Sequence, residues 1–530
     1  MSAEIESFDK EKAKSEIKIL IEKYEREKSN GKLESYSEEQ TKNDFILRLF
    51  KALGWDVYND HSNTLTAEEK ASRGRVDYGF RINDIPKFFL EAKSFRAGVD
   101  KDEYAFQSIN YSWLKGCTWA VLTNFEKLII FNAEWKEKLA VNCLFISLTH
   151  ADFLTNFDQL YLLSREAFVK NLLDKEAEKW HKKIKKTPID QQLLQDLMKF
   201  REALTQSIMR RNSSVSLTDE ELDESVQKIL DRIIFIRTVE DRQIEPPHLR
   251  PLIREDHKGN LWKKIAELYR YFDDTYDSNL FSPHECEKLV IGDEELETVI
   301  RGLHETEDGS VQYDFSAINA DVLGTVYEQY LGHILKKTKK SATIQDGSAK
   351  RKKQGIYYTP TYIVDYIVKN TVGSKIAEMG LDWKKIKILD PACGSGSFLI
   401  KAFDYLTTLD KELEKKEELK KELYGTHIAT ERFGYLKNNI FGVDLDTKAV
   451  EIAQLNLMIR ATEKKERLPS LQQNIKHGNS LIGDAKIDKD AALDWNEQFK
   501  EIMNNGKFDI VIGNPPYISS LLLTKSVSTT

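Results

Sequence analysis

One short apolar run that ends in a glycine-rich turn constrains this chain more than any other feature. Ile386 to Leu389 reads as a strand, and Asp390-Pro391-Ala392-Cys393-Gly394-Ser395-Gly396-Ser397-Phe398 follows it and opens a helix. Phe441 to Leu445 and Phe508 to Ile512 read as two more strands, with helical segments between them, one of them unusually charged at 409–423. Strand and helix in alternation predict a doubly wound parallel sheet, which takes ligands at the carboxyl ends of its strands. At 530 residues the chain exceeds one core, and about three or four domains are expected.

The first block reads as a separate α/β unit. Residues 1–30 form a charged helix. Phe45, Ile46, Leu49, Phe50 and Leu53 recur at helical spacing up to Gly54. Arg75 to Ile82 and Lys87 to Ser94 read as a hairpin through Asn83-Asp84-Ile85-Pro86, followed by a helix over 101–115. Trp119 to Thr123 and Lys127 to Phe131 are two further strands, and the block ends near 150. Residues 151–335 are nearly strand-free. Thr218 with Glu221 makes a capping box ahead of Val226, Ile229, Leu230, Ile233 and Ile234, and a second helix covers about 317–335. Residues 336–354 are basic and polar, as in a flexible linker.

Composition excludes some classes. Hydrophobic residues make up 41% and charged residues 31%, as in a globular protein. No apolar run reaches the roughly 18 residues that span a bilayer, so no membrane partner is expected. Met1 to Lys10 lacks an apolar signal core. Cys117, Cys143, Cys286 and Cys393 are far apart, which argues against disulfides and structural zinc and for the cytoplasm. The net charge of −7 leaves room for local basic patches that meet phosphates. Two are candidates: 181–186, and the run from Lys336 to Lys340 with 350–353. A solvated helix face or a linker is the plain alternative for each.

Three spots in the C-terminal block carry chemistry. Gly394 and Gly396 permit a tight turn and close approach of a ligand, although on the glycines alone a simple strand-to-helix turn remains open. Asp444, at the end of Gly442-Val443-Asp444, is placed to take ribose hydroxyls, farther from the glycines than the usual ~20 residues. Asn514-Pro515-Pro516-Tyr517 ends an apolar strand. An exocyclic amine conjugated to a ring is a poor nucleophile, and acceptors on its N–H groups raise its nucleophilicity. The Asn514 side-chain oxygen and the Pro515 carbonyl can be two such acceptors, held by stiff prolines, and Tyr517 offers a face on which a flipped base stacks.

The order Gly355-Ile356-Tyr357-Tyr358-Thr359-Pro360, glycine turn, Asp444, Gly478-Asn479-Ser480-Leu481 and Asn-Pro-Pro-Tyr resembles the γ-class of N6-adenine DNA methyltransferases. The resemblance implies S-adenosylmethionine as cofactor. It implies that Tyr358, Thr359 and Pro360 border its methionine part and that Asp390, Ala392, Gly394, Gly396, Ser397 and Phe398 cradle it. Asp444 takes the ribose, and Asn479 with Ser480 lies near the adenine. Asn479 stands where the family often has Asp.

In the first block, Glu91 and Lys93 share a strand face by the period of two. Asp77 joins that face if the connection has an odd residue count, and five residues, Ile82 to Pro86, would satisfy this. Two carboxylates facing together can hold Mg²⁺, with Lys93 orienting water or neutralising charge. An exposed hairpin with ordinary charges is the alternative. Gln107 and Tyr111 follow at i, i+4 on a helix. The pattern Asp77, Glu91-Ala92-Lys93, Gln107-Ser108-Ile109-Asn110-Tyr111 resembles PD-(D/E)xK nucleases of the RecB-like type, with Asp77 and Glu91 as metal ligands and Glu38 as a further acidic helix residue.

Together the halves resemble type IIG restriction–modification enzymes. The fold class this implies is α/β multidomain: a PD-(D/E)xK nuclease domain over 1–150, a helical connector over 151–335, a basic linker over 336–354, and an incomplete doubly wound, Rossmann-like methyltransferase domain over 355–517. Ile229 to Arg237 and Leu323 to Glu328 look typical of the connector, although packed amphipathic helices explain them equally. The family continues beyond the tetrad, whereas this chain ends 13 residues after Tyr517 in a tail, 518–530, without usable periodicity. A truncated product is therefore expected, one that methylates DNA poorly or not at all. The alternatives are a nuclease with an inert cofactor-binding domain, or a non-catalytic remnant that binds DNA or a partner. Expected partners are double-stranded DNA and either a separate specificity subunit or a second copy of the chain.

Overall fold

A computed structural model describes residues 8–58, 64–71, 74–82, 85–135, 140–179, 187–254, 259–276, 280–306, 313–318, 322–323, 326, 329–330, 333–337, 342–346, 359, 361–418, 429–462, 465–489 and 491–515. It divides into two compact units, 1–189 with 307–317, and 190–306 with 318–530.

The first unit opens with helix α1 (Lys10–Ser29), capped by the Asp9 carboxylate, which accepts from the Glu11 and Lys12 amides. Six strands follow: β1 (Leu65–Ala71), β2 (Gly74–Ile82), β3 (Ile85–Ala92), β4 (Trp119–Thr123), β5 (Lys127–Asn132) and β6 (Leu144–Thr149). They form one sheet in sequence order. Every pair is antiparallel except β3 with β4. A parallel pair needs a crossover, and helix α2 (Asp102–Leu114) supplies it. One sheet face carries Phe80 stacked on Phe88 at 4.4 Å, with Phe50 and Trp55 beside them. On the other face Phe89 meets the Tyr111 ring of α2 edge to face at 5.0 Å. The expected strands at 119–131 and the helix at 101–115 are present. Strands β1 and β6 were not anticipated.

The hairpin differs from the expected one in a way that matters. The β2–β3 connection is tight, because Ile82 pairs with Ile85. A two-residue connection alone would put Asp77 and Glu91 on opposite faces. The register shifts between Phe80 and Arg81: Arg81 pairs with Pro86 and Phe80 with Phe88, so Lys87 is an extra residue on β3. That bulge restores the parity, and it coincides with a proline that has no N–H for the ladder.

In the second unit, helix α3 (Ile189–Arg211) precedes α4 (Asp219–Asp241). Thr218 and Glu221 form the expected capping box, with reciprocal bonds of 3.1 and 2.8 Å. Helix α4 is buried along nearly its whole length, including the fully buried Arg232, which donates to the Leu280 and Ser282 carbonyls and pairs with Glu287. Fixed acceptors of this kind are what make a buried guanidinium tolerable. The described residues 322–323, 326 and 329–330 are helical, as expected, but at 333–346, where the end of that helix and a flexible linker were expected, strands β7 (His333–Lys337) and β8 (Ala342–Asp346) pair antiparallel. A short apolar run such as Ile334-Leu335 fits helix and strand alike, and here cross-strand pairing decides.

The last sheet is wholly parallel. It contains β9 (Ile388–Asp390), β10 (Ile440–Asp444), β11 (Ile475–His477) and β12 (Ile510–Val511) in the order β11-β10-β9-β12. Helices α5 (Ser397–Glu418) and α6 (Thr447–Ala461) connect them. The strand order reverses between β9 and β12, and a crevice at the carboxyl ends of such a pair is the ligand position of open α/β sheets. Helix α4 holds α6 by ion pairs: Lys448 with Asp223, and Lys228 with Glu451 at 3.2 Å. No helix among the described residues is long and apolar enough to cross a membrane.

Candidate functional site

Two sites emerge, one in each unit. In the first, the register running back from Tyr78 opposite Leu90 brings Asp77 opposite Glu91. One Asp77 oxygen, Oδ2, accepts from the Ala92 amide at 2.7 Å, and the other, Oδ1, accepts from Lys42 Nζ. Lys42 also donates to Glu38 Oε1 at 2.8 Å, so Glu38 does face this site. Glu91 is 4% exposed. Its Oε1 accepts from Lys93 Nζ at 2.5 Å, while Oε2 is buried with no hydrogen-bond partner among the described residues. Burial pushes the Glu91 carboxyl up to about 7, with the Asp77 charge adding to the push and Lys93 opposing it. Burial pulls the Lys93 ammonium down, but Glu91 outweighs that and holds it above its ordinary value. Lys93 Nζ lies 4.5 Å from the Tyr104 ring centroid.

Gln107 and Tyr111 lie on α2, with Tyr111 buried and Gln107 half-buried. Lys42 was missed by sequence reasoning. It opens a π-helical turn, Lys42–Ile46, inside the helical stretch 38–52, and such turns are frequent at functional sites. Its spacing of four from Glu38 was the available signal. A divalent cation fits the orphaned Glu91 oxygen chemically, because a buried carboxylate oxygen without a partner is costly until something positive reaches it. Among the described residues no three His, Cys, Asp or Glu side chains converge as a metal cluster. A metal on Asp77 and Glu91 would therefore complete its shell from water or from a bound phosphate.

In the second unit the site is built mainly from backbone. Asp390 is fully buried, its Oδ1 accepts from the Ala392 amide at 3.0 Å, and burial pushes its carboxyl up to about 7. The Cys393 amide donates to the Val443 carbonyl at 2.9 Å, tying the turn to β10. Gly394 and Gly396 adopt φ of +52° and +87°, the region that favours glycine. A side chain at 394 would meet nothing within 4 Å among the described residues, while one at 396 would press on Ala453 Cβ at 3.2 Å. Asp444 Oδ2 accepts from the Gly394 amide at 2.8 Å and Oδ1 from the Asp446 amide at 2.9 Å, which leaves each oxygen a further lone pair. Burial raises its pKa. Ser397 starts α5 and Phe398 is buried beneath it.

Asn514 donates through Nδ2 to Thr359 Oγ1 at 3.0 Å, and among the described residues its Oδ1 accepts nothing. Asn479 is engaged at both ends: Oδ1 accepts from the Leu481 amide at 3.1 Å, and Nδ2 donates to Asp488 Oδ2 at 3.2 Å. Its oxygen therefore faces its own loop. The carboxylate nearby is Asp488, which no motif marked. The Ser480 carbonyl accepts from Trp495 Nε1 at 3.1 Å. Tyr358, Pro360, Pro516 and Tyr517 lie outside the described residues, as do 181–186, most of the second basic patch and 518–530.

Comparison with known proteins gives two independent matches at the two sites. Residues 35–139 match the family described as type I restriction enzyme R protein N terminus. Residues 438–529 match the Eco57I restriction-modification methylase family, and 379–477 match an RMKL-like methyltransferase domain. The type II restriction enzyme and methyltransferase RM.Eco57I of Escherichia coli is 27% identical, with 96% of this chain and 53% of that protein covered. A putative type II restriction enzyme and methyltransferase of Methanocaldococcus jannaschii is 28% identical over 48% of this chain and 27% of that protein. The chain thus spans about half, or less, of the length of these relatives. The solved type IIG restriction endonuclease BpuSI is 14% identical, covers 92% of this chain and 46% of that one, and has a TM-score of 0.32. The chain is similar to type II restriction enzymes that carry a methyltransferase, the likeness that the motifs implied.

Proposed function

We propose that this chain carries the nuclease and methyl-transfer sites of a restriction–modification protein: Mg²⁺-dependent cleavage of double-stranded DNA at Asp77, Glu91 and Lys93, and methylation of adenine N6 at Asn514. On this reading residues 1–150 are a PD-(D/E)xK nuclease domain, 151–335 are a helical connector and 355–517 belong to a Rossmann-like methyltransferase domain.

The observation that carries the methyl-transfer reading is the Asn514 amide. Thr359 takes its N–H and fixes the ring of groups so that Oδ1 is left as an acceptor at the carboxyl end of β12. There it would take an N–H of the adenine amine, with the Pro515 carbonyl taking the other, and so raise the electron density on nitrogen as the bond to carbon forms. Tyr517 would stack the flipped base. Asp390, Gly394, Gly396 and Asp444, with Tyr358 and Pro360, would hold S-adenosylmethionine, which when bound supplies the electrophilic methyl group. Open space beside Gly394 suits such a ligand. Asp488, through Asn479, would orient the loop near its adenine.

In the first site Asp77 and Glu91 would hold Mg²⁺, which when bound polarises a phosphate and acidifies water. Lys93 would neutralise charge that develops on the phosphate, and Gln107 and Tyr111 would border it from α2. The test is incubation of duplex DNA with the protein, methyl-labelled S-adenosylmethionine and Mg²⁺. Label in N6-methyladenine together with Mg²⁺-dependent strand breaks is expected. Label confined to cytosine, or breaks that persist in D77N and E91Q, would sink the assignment.

A further inference from the structure

Lys42 is unabsorbed by that mechanism, and its geometry is specific. Asp77 has one oxygen, Oδ2, on the Ala92 amide, while its other oxygen, Oδ1, has no backbone bond and carries Lys42 Nζ. The same ammonium holds Glu38 Oε1 at 2.8 Å. The Lys42 and Asp77 side chains are only 15% and 12% exposed, which separates this pair from an ordinary solvated surface pair. Across the strand pair, Glu91 Oε2 has no hydrogen-bond partner among the described residues. The site therefore holds three carboxylates, two ammonium groups and one buried oxygen left over. A π-helical turn starts at Lys42 itself.

We infer that Lys42 is a resident counter-cation: its ammonium stands where a divalent metal would bind Asp77, and it gives up that place when a DNA phosphate offers it another anion. The inference rests on the nuclease reading above. Two cations cannot share Asp77 Oδ1, because like charges a few ångström apart repel strongly in a poorly solvated site. Metal entry thus requires the lysine to swing away, and a bound phosphate is the anion that would receive it. Metal and DNA would then bind cooperatively by displacement, and the site would stay metal-poor until DNA arrives.

The experiment is calorimetric titration of Mg²⁺ into the full chain, wild type, K42M and K42R, each with and without a short duplex. Without DNA, K42M should bind Mg²⁺ roughly tenfold more tightly than wild type, and K42R, which keeps the charge, should not. DNA should tighten Mg²⁺ binding in wild type by roughly tenfold more than in K42M, where only the phosphate's own ligation remains. As a second readout, Mg²⁺ should raise the melting temperature of K42M more than that of wild type, since the bare Asp77 and Glu38 carboxylates gain more from it. Equal or weaker Mg²⁺ binding by K42M, with wild-type cooperativity intact, would overturn the inference and leave the nuclease reading standing. No Mg²⁺ binding by any of the three proteins, with or without DNA, would overturn both.

Discussion

The two sites solve the same problem, holding a buried carboxylate ready for a ligand, by opposite means. Glu91 and Asp390 are both pushed up to about 7 by burial. Glu91 sits among side chains: Lys93 on one oxygen, nothing on the other, and Asp77 with Lys42 opposite. Asp390 sits in backbone: an amide on its oxygen, a glycine turn around it, and parallel strands behind. On the proposed reading the first site is a balance of charges that a cation would complete, and the second a shape that a ligand would fill. A charge site should respond to metal and to single charge changes, and a shape site to backbone conformation.

The largest expected effect separates the two activities. D77N or E91Q should lower Mg²⁺-dependent cleavage by roughly 10²–10³-fold while leaving methyl transfer within about twofold, the size expected for loss of one electrostatic stabiliser. N514A should do the reverse, and parallel assays of nicking and of label transfer on one duplex check both.

A pH series on stability comes next. Both carboxyls bind their proton more tightly in the fold than in the unfolded chain, from ordinary values of 4.5 for Glu91 and 3.8 for Asp390. Their contribution is therefore fully present below those ordinary values and is lost as pH rises through about 7. E91Q and D390N should each recover on the order of 3–4 kcal/mol at pH 8 relative to pH 4, read by denaturant unfolding without added metal. Saturating Mg²⁺ should shrink the gain for E91Q and leave that for D390N. An Mg²⁺ effect at both positions would erase the contrast.

Glycine changes sharpen the shape argument. G396A should cost about 1–3 kcal/mol, from a positive φ and pressure on Ala453. G394A should cost less, about 1–2 kcal/mol, because its methyl meets open space, yet it should weaken S-adenosylmethionine binding more than its stability loss explains. The smallest effect belongs to the ion pair of Lys448 with Asp223: K448M should cost at most about 1 kcal/mol, since Lys448 is partly exposed, and should leave cleavage unchanged.

The same contrast explains what could be read from sequence. The shape site announces itself locally, because each of its parts, a strand that runs into two glycines and an Asn-Pro-Pro-Tyr stretch, is contiguous in the chain. Three of its strands and its turn were legible, although the three-residue β11 was not, and the strand order that makes the switch point came only with the fold. The roles of Asn479 and Asp488 depend on which way one amide turns in a folded loop. The charge site is assembled across chain segments. Asp77 and Glu91 were visible as residue types, but their common face depends on a bulge at Lys87 that no pattern displays. Strand β1, Leu-Thr-Ala-Glu-Glu-Lys-Ala, is too polar to show a strand period and exists through pairing with β2. Lys42 looked like one lysine of many until the fold set it on Asp77.

The central claim is that one chain holds two independent ligand sites, one for a divalent metal and one for S-adenosylmethionine. Calorimetric titration of both ligands into wild type, D77N and D444N tests it directly. D77N should lose Mg²⁺ and keep S-adenosylmethionine, and D444N should do the opposite. Failure of wild type to bind either ligand, or loss of both through one substitution, would contradict it.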